Sequence, residues 1–228
     1  MSDSKNLSYV VYEELKREIL NLVLVPGQAI SESEICKKFQ VSRTPVRDAL
    51  WRLQEHGFVS TMPYHGTYVT KLNLSEIKQL IYMRIAVETN VICDFFDIAT
   101  PLILEEVRYL IRKQEAIILE KDFTPEKFYH LDLQMHSVWF EVTGMKKIWE
   151  ILQEAQVNYS RYRMLDFETE TNFTRIIKEH NILFEMIQNK GKAGLTAALK
   201  EHLSYSITRM EHQIETDYKD YFEDNLEP

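Results

Sequence analysis

The stretch at 41–50, with the sequence VSRTPVRDAL, constrains the fold of this chain more than any other feature. Ser42 is suited to cap a helix through its hydroxyl oxygen. Pro45 would fall in the first turn, where a missing amide proton does little harm. The stretch therefore predicts a helix that begins next to Ser42 and continues through Leu50.

Two guanidinium groups and a hydroxyl lie near the amino-terminal end of this predicted helix, on Arg43, Thr44 and Arg47. In a helix-turn-helix, this end of the second helix meets base edges and phosphates in the DNA major groove. Such residues in isolation usually form an ordinary solvated helix face. The DNA-reading interpretation is favoured here because the flanking segments supply the rest of the motif in the right order.

A capped helix precedes the stretch and a hairpin follows it. Ser31 and Glu34 have the spacing of a capping box at the start of the preceding helix. Gly57 is suited to end the recognition helix, and segments 58–61 and 66–70 have the composition of two short strands around a turn. The amino-terminal part therefore predicts a winged helix-turn-helix of three helices plus a β-hairpin wing.

The charge is unevenly divided along the chain. Residues 1–70 hold eight of the 27 Lys and Arg residues and eight of the 35 Asp and Glu residues, so the rest of the chain carries the whole formal net charge of -8. Attraction of the first part to phosphate must then come from the placement of its charges. We expect moderate affinity from one subunit and a need for two subunits to reach useful specificity.

The helical period takes over after a short hinge at 71–74 and persists to the end of the chain. It predicts helices near 75–97, 102–121, 125–142, 146–165, 172–189 and 192–218. The expected fold is mostly α, with the winged helix at 1–72 and an all-helical bundle of six or seven helices at 73–228. The core of such a bundle can hold a ligand or a metal.

The predicted bundle contains one set of side chains that suits a metal. Asp132 and His136 are four residues apart, so they share one helix face and can bind one ion together. His180 and His202 lie on two further predicted helices, and spacing alone does not join them to that pair. A single histidine on a mostly apolar helix is more often a hydrogen-bonded core residue, and His130 is assigned to this ordinary class.

Taken together, these features resemble the GntR family of bacterial transcription factors, in the subfamily whose ligand-binding domain is called FCD. The winged-helix part of the resemblance rests on Pro26-Gly27, Glu32, residues 41–50, Gly57 and Gly66. The FCD part rests on Arg84, Glu88, Asp132, His136, His180 and His202. The resemblance covers nearly the whole chain. It departs at Met135, where an aromatic residue is usual, and at Met145, where many relatives carry Asn.

The resemblance implies roles for individual residues. For operator contact, the resemblance implies Arg43, Thr44 and Arg47, with His65 and Gly66 near the minor groove; Ser42, at the start of the same predicted helix, is included with them. For the metal, it implies Asp132, His136, His180 and His202. For an effector, the candidates are Arg84 and Glu88, which belong to the resemblance, and Tyr159, Arg161 and Arg163, which the helix pattern alone suggests as cavity-lining residues. Arg84 has a second interpretation as a salt-bridge partner of Glu88, and the two roles can coexist; the last three effector candidates have an alternative as an ordinary amphipathic helix surface.

One carboxylate and three imidazoles suit a borderline divalent ion such as zinc, nickel or manganese. Six-coordination would leave two positions, which a small organic acid can occupy through its carboxylate. The predicted function is a ligand-responsive homodimer that binds a palindromic operator in double-stranded DNA. Repression relieved by the acid is the default expectation from the resemblance, and activation is the alternative.

Two other functions fit parts of the pattern. A metal-free bundle that binds an apolar acyl ligand would keep the same DNA-binding role. A metal-dependent hydrolase would use the ion to activate water, but no obvious base accompanies the ligands and a complete winged helix lies upstream. The chain is therefore expected not to be an enzyme.

The remaining sequence features concern compartment and redox state. Cys36 and Cys93 lack metal-motif spacing and are predicted to be reduced core residues. The amino terminus lacks a basic segment followed by an apolar run, and no stretch approaches the roughly 20 apolar residues of a membrane span. We therefore expect a cytoplasmic protein with no membrane partner.

Overall fold

The computed structural model describes residues 2–155, 157–167 and 171–223, and it divides into two compact units. The first unit contains the described residues up to Leu74, together with Ser160–Tyr162 and the segment from Gln213 onward. The second unit contains Ser75–Tyr159 and Arg163–His212.

The first unit is a winged helix-turn-helix, as the sequence predicts. Its elements are α1 (Ser2–Leu20), β1 (Ala29–Ile30), α2 (Glu32–Phe39), α3 (Arg43–Glu55), β2 (Val59–Met62) and β3 (Gly66–Val69). The strands form an antiparallel sheet in the order β1-β3-β2, so a short first strand joins the predicted hairpin. Helices α1 and α3 bury their apolar faces in a common core that includes Leu15, Ile19, Val46 and Leu53, which leaves the polar face of α3 toward solvent.

The two predicted helix caps in this unit have different outcomes. The Ser31 hydroxyl accepts from the backbone N–H of Glu34 at 3.4 Å. Ser42 occupies the capping position of α3, but its side chain makes no capping hydrogen bond, so that prediction was wrong. A capping hydroxyl normally accepts from the second or third N–H of the helix; Pro45 holds the third position of α3 and has no N–H.

The predicted hinge at 71–74 is anchored by the carboxy-terminal segment of the same unit. The N–H of Leu72 donates to the carbonyl of Tyr221 at 2.8 Å, and the carbonyl of Leu72 accepts from the N–H of Glu223 at 3.0 Å. The Leu72 side chain is completely buried. The segment is thus short, as expected, but it is paired rather than free.

The second unit is helical, and seven α-helices begin between Leu74 and Leu195 in the described residues. They are α4 (Leu74–Ile98), α5 (Pro101–Ile117), α6 (Pro125–Val142), α7 (Lys146–Glu154), α8 (Val157–Asp166), α9 (Thr171–Gln188) and α10 (Leu195–Glu215). Thr100 and Thr124 cap α5 and α6 through their hydroxyls, each followed by a proline in the first turn. A short 3-10 turn at Lys219–Tyr221 follows α10.

Three sequence predictions need correction, and the first two concern helices of this unit. The single helix expected at 146–165 is two helices, α7 and α8; Gln156 between them lies outside the described residues. The hydrophobic pattern of the sequence did not reveal the break, because α8 is buried on nearly all sides. It therefore lacks the exposed polar face that would mark where a new helix begins. Helix α10 begins at Leu195 because Gly194 adopts a left-handed φ of 86°.

The third correction concerns the cysteines. Cys36 and Cys93 are free, but both are half-buried rather than core residues. The core of the second unit is instead rich in aromatic side chains, and the rings of Phe128 and Phe173 meet edge to face with centroids 4.8 Å apart.

Across the described ranges, none of the helices has both the length and the apolarity of a membrane span.

Candidate functional site

Four side chains from three helices converge inside the second unit. Asp132 and His136 come from α6, His180 from α9 and His202 from α10, and one ligand atom from each lies within 4.8 Å of the others. The Nε2 atom of His202 is 3.3 Å from Nε2 of His136 and 3.3 Å from Nε2 of His180. The Nε2 atom of His180 is 3.4 Å from Oδ1 of Asp132. Ligands on one zinc ion with bonds of about 2.1 Å would lie roughly 3.0 to 3.4 Å apart.

Each imidazole of this four-residue cluster is held from behind through its Nδ1 atom. The contacts are His136 to Oε2 of Glu88 at 2.6 Å, His180 to Oε1 of Gln114 at 2.8 Å, and His202 to Oε2 of Glu179 at 2.9 Å. Because these oxygens accept, they place the proton of a neutral imidazole on Nδ1 and leave the lone pair on Nε2. All three lone pairs therefore point toward the same small region.

The protonation states also suit a cation. Burial lowers the pKa of His180 well below its usual value, and the neighbouring His202 lowers it further. Burial likewise lowers the pKa of His202, although Glu179 opposes the shift. Burial alone would raise the pKa of Asp132, but His136 and His180 bring it down to about 2. A carboxylate with a lowered pKa, beside two imidazoles whose lowered pKa values disfavour protonation, suits a divalent metal.

Asp132 Oδ1 adds a further sign that the cluster fits an ion. This oxygen is buried and has no hydrogen-bond partner among the described residues. A buried carboxylate without a partner is costly unless it is paired or coordinates a metal. The four residues together could hold a closed tetrahedral ion, or a six-coordinate ion with two further positions.

Three of the predicted effector residues form a chain that ends at the cluster. The Nε atom of Arg84 donates to Oε1 of Glu88 at 2.6 Å, and Nη1 of Arg84 donates to the hydroxyl of Tyr159 at 2.6 Å. Glu88 contacts His136 with its other oxygen. Burial would raise the pKa of Glu88, but Arg84 and His136 lower it to about 2. The predicted Arg84–Glu88 salt bridge therefore exists, and it supports a cluster residue.

The two remaining effector candidates lie in different places. Arg163 is buried, donates to Oδ2 of Asp166 at 2.7 Å, and helps to lower the pKa of Asp132 by its charge. Arg161 belongs to the first unit, where its Nη1 atom donates to the carbonyl oxygen of Thr70 at 2.6 Å. The structure thus places Arg163 within electrostatic reach of the cluster and gives Arg161 a backbone partner elsewhere.

The surroundings of the cluster are rich in hydrogen-bond donors. Four buried N–H groups lack an acceptor among the described residues, namely Arg84 Nη2, Gln114 Nε2, Trp139 Nε1 and Arg163 Nε. The ring of Trp139 lies 4.8 Å from the ring of His136, measured between centroids. Each unpaired buried donor costs about 1–3 kcal/mol, so this region favours a ligand that brings acceptors.

Sequence reasoning missed the partners behind two histidines. Glu179 adjoins His180 in sequence, yet it supports His202 on the neighbouring helix. Gln114 lies on α5, and no spacing signal connects it to His180, 66 residues away. Both partners become recognisable only when the helices are packed.

The predicted DNA-reading residues share the exposed end of α3. Ser42, Arg43, Thr44 and Arg47 are all exposed. The Nε atom of Arg47 lies 3.1 and 3.2 Å from the two carboxylate oxygens of Glu32. This ion pair connects the first turn of α2 to α3 and leaves the Arg47 side chain 63% exposed.

The wing presents its tip to solvent. His65 and Gly66 are exposed, as their predicted role requires. Tyr64 beside them is fully exposed and has a left-handed φ of 65°. Sequence reasoning did not select Tyr64, although a tyrosine between Pro63 and His65 was a visible signal.

Two protein-family models match the chain, one on each side of residues 70–78. Residues 7–69 match the model described as "Bacterial regulatory proteins, gntR family", and residues 79–205 match the FCD domain. The chain is a GntR-family transcriptional regulator with an FCD domain. The family and its relatives are regulators, so the protein is not an enzyme.

Relatives of this GntR regulator include two named repressors. The HTH-type transcriptional repressor RspR of Escherichia coli is 24% identical over 225 residues, covering 97% of this chain and 96% of that protein. The gluconate operon transcriptional repressor of Bacillus subtilis is 25% identical over 222 residues, covering 89% of each. Among solved structures, E. coli McbR/YncC has the same fold, with a TM-score of 0.69 at 20% identity over 91% of this chain and 98% of that one.

Proposed function

We propose that this GntR regulator is a homodimer that binds a palindromic operator and responds to a small carboxylate held beside a divalent metal in its FCD domain. The observation that carries the proposal is the convergence of three Nε2 atoms and one carboxylate, with each imidazole fixed from behind. Such support behind the ligands is typical of metal sites in proteins.

Asp132, His136, His180 and His202 would hold the ion, and zinc, nickel and manganese are the candidates. When bound, the ion supplies a positive charge and free coordination positions for an acidic ligand. Glu88 orients His136 and Glu179 orients His202, while Gln114 orients His180 without adding charge. Two of the three groups that support the histidines, Glu88 and Glu179, are therefore carboxylates, and the third is a neutral amide.

The unpaired donors favour an acid over an apolar acyl ligand. Arg84 Nη2 and Arg163 Nε are buried cationic donors without an acceptor in the described residues, and Gln114 adds a neutral donor. An apolar ligand would leave all of them unpaired, whereas a carboxylate offers only acceptors. Arg84 is the proposed partner for the far end of the acid. Arg161 is not proposed for this role, because it donates to the Thr70 carbonyl.

For the DNA, we propose that Arg43, Thr44 and Arg47 read the major groove while His65 and Gly66 approach the minor groove. Arginine forks suit the paired acceptors of guanine in the major groove. Two copies on a palindrome would supply the specificity that a single winged helix without net charge lacks. Two relatives, RspR and the gluconate operon regulator, are repressors, which favours repression as the sign of the response.

The test begins by selecting genomic fragments that bind the purified protein. Fluorescence anisotropy on a selected fragment is then measured with zinc-loaded protein and a panel of mono-, di- and tricarboxylates. We expect at least one acid to shift the DNA affinity of the parent and to lose its effect in His180→Ala. An acid response that is equal in the parent and in His180→Ala would overturn the proposed effector site.

A further inference from the structure

Three of the four cluster residues are sealed from solvent. The exposed fractions of Asp132, His136 and His180 are 3%, 0% and 1%. His202 is different because it lines a cavity of about 320 Å³ beside α9 and α10. The other residues that line this cavity are Arg175, Lys178, Glu179, Ile182, Ala198 and Glu201.

Arg175 lines this cavity and makes three contacts there. Its Nε atom lies 2.6 Å from Oε1 of Glu179, and its Nη2 atom lies 3.7 Å from Oε1 of Glu201. The guanidinium carbon lies 3.2 Å from the centre of the Tyr205 ring. Glu201 and Tyr205 belong to α10 whereas Arg175 belongs to α9, so this side chain ties the two helices together.

Arg175 also influences His202, a residue of the cluster, through Glu179. Glu179 uses Oε1 for Arg175 and Oε2 for Nδ1 of His202, at 2.9 Å. Because one carboxylate serves both contacts, the position of Arg175 fixes the carboxylate that orients His202. Loss of Arg175 would free Glu179 to rotate away from the imidazole.

We propose that this cavity is the route by which the divalent ion reaches and leaves the cluster, and that Arg175 is the positioning residue that keeps the route closed. The inference rests on the proposed metal site. A water occupies roughly 30 Å³, so the cavity can admit an ion with several of its waters. When Arg175 moves aside, Glu179, Glu201 and His202 face the incoming cation as two carboxylates and one imidazole.

Lys178 provides a matched control in the same cavity. It lines the wall beside Glu179, and it forms no ion pair within the part of the chain that the structure describes. Lys178→Gln therefore removes one positive charge from the cavity without releasing Glu179. Any purely electrostatic effect on ion exchange should be the same for Lys178→Gln and Arg175→Gln.

The experiment measures zinc release from the full-length protein. The parent, Arg175→Gln, Arg175→Lys and Lys178→Gln are stripped of metal, loaded with one equivalent of Zn²⁺ and mixed with excess chelator, and the rate of zinc transfer is followed by absorbance. We expect Arg175→Gln to release zinc about tenfold to a hundredfold faster, the factor by which loss of a residue behind a metal ligand usually weakens metal affinity. Lys178→Gln should stay close to the parent, and Arg175→Lys should lie between, because it keeps the charge without the fork.

The outcomes separate the two proposals. Retention of zinc by the parent together with equal rates in all four proteins would overturn the route and leave the metal site standing. A parent that retains none of zinc, nickel and manganese would overturn both. Circular dichroism reports whether Arg175→Gln folds; if its helix content falls, Arg175→Lys decides, and a rate equal to that of Lys178→Gln would then overturn the role of Arg175.

Discussion

Oε2 of Glu88 lies 2.6 Å from Nδ1 of His136, and the other oxygen of the same carboxylate accepts from Arg84. Glu88 is completely buried, and the Arg84 side chain is only 3% exposed. A buried ion pair inside one helix thus supports a cluster residue on another helix. The carboxylate has two partners, so its removal should affect both stability and metal binding.

Glu88→Gln tests this double role. The change leaves the Arg84 cation buried without its counter-charge, which should cost about 3–5 kcal/mol of unfolding free energy. Weaker support for His136 should lower zinc affinity by about tenfold to a hundredfold. Urea unfolding of the metal-free protein and zinc titration measure the two effects. Glu106→Gln is the control, because Glu106 is exposed on α5; equal behaviour of the two variants would contradict the role of Glu88.

Arg47→Ala tests the major-groove contact. If Arg47 makes a bidentate contact to a base, its loss should cost roughly 1–3 kcal/mol of operator binding. Arg112→Ala removes the same charge from an exposed position on α5, in the second unit, and serves as the control. Gel-shift titration on a selected operator measures both. Unchanged affinity of Arg47→Ala would remove this residue from the recognition set.

Operator binding should weaken steeply as salt rises, because lysine and arginine contacts to phosphate release counterions. Residues 1–70 carry equal numbers of basic and acidic side chains, so the effect depends on the local placement of Arg43 and Arg47 rather than on net charge. Anisotropy titrations at a series of potassium chloride concentrations give the slope. A flat response between low and moderate salt would contradict the proposed reading surface.

The stability of the metal-free protein should fall on acidification. Burial holds the folded-state pKa of His180 well below its ordinary value of 6.5, so the unfolded chain takes up a proton first as pH falls. The contribution is fully present above that value and is lost between about pH 6.5 and the lowered folded-state pKa. Urea midpoints measured from neutral to mildly acidic pH should decline less in His180→Gln than in the parent. Parallel declines would contradict the pKa shift.

Much of the fold could be predicted from the sequence because local signals agreed with burial. The bounds predicted for α6 are those observed, since Thr124 caps this helix and Pro125 begins it. The break between α7 and α8 was missed because tertiary packing decided it. The Ser42 cap failed for a local reason, since Pro45 removes the N–H at the third position of α3. The pairing of Leu72 with the carboxy-terminal segment was also beyond sequence reasoning, because it joins distant parts of the chain.

The four cluster residues and Glu88 were named from the sequence, whereas the supports behind His180 and His202 were not. Asp132 and His136 share one helix face, and the family resemblance supplied His180 and His202. Gln114 has no spacing relationship to His180, and Arg175 acts on His202 only through Glu179. Such links depend on how separate helices pack, which helical periodicity does not record.

The most direct test of the account is the metal content of tag-free protein, measured by plasma mass spectrometry after incubation with zinc, nickel or manganese. His136→Ala and His180→Ala are compared with His130→Ala, whose exposed imidazole lies on the same helix as His136. The account predicts about one ion per chain in the parent and in His130→Ala, and loss of that ion in the other two. No bound ion in the parent, or equal metal content in all four proteins, would contradict it.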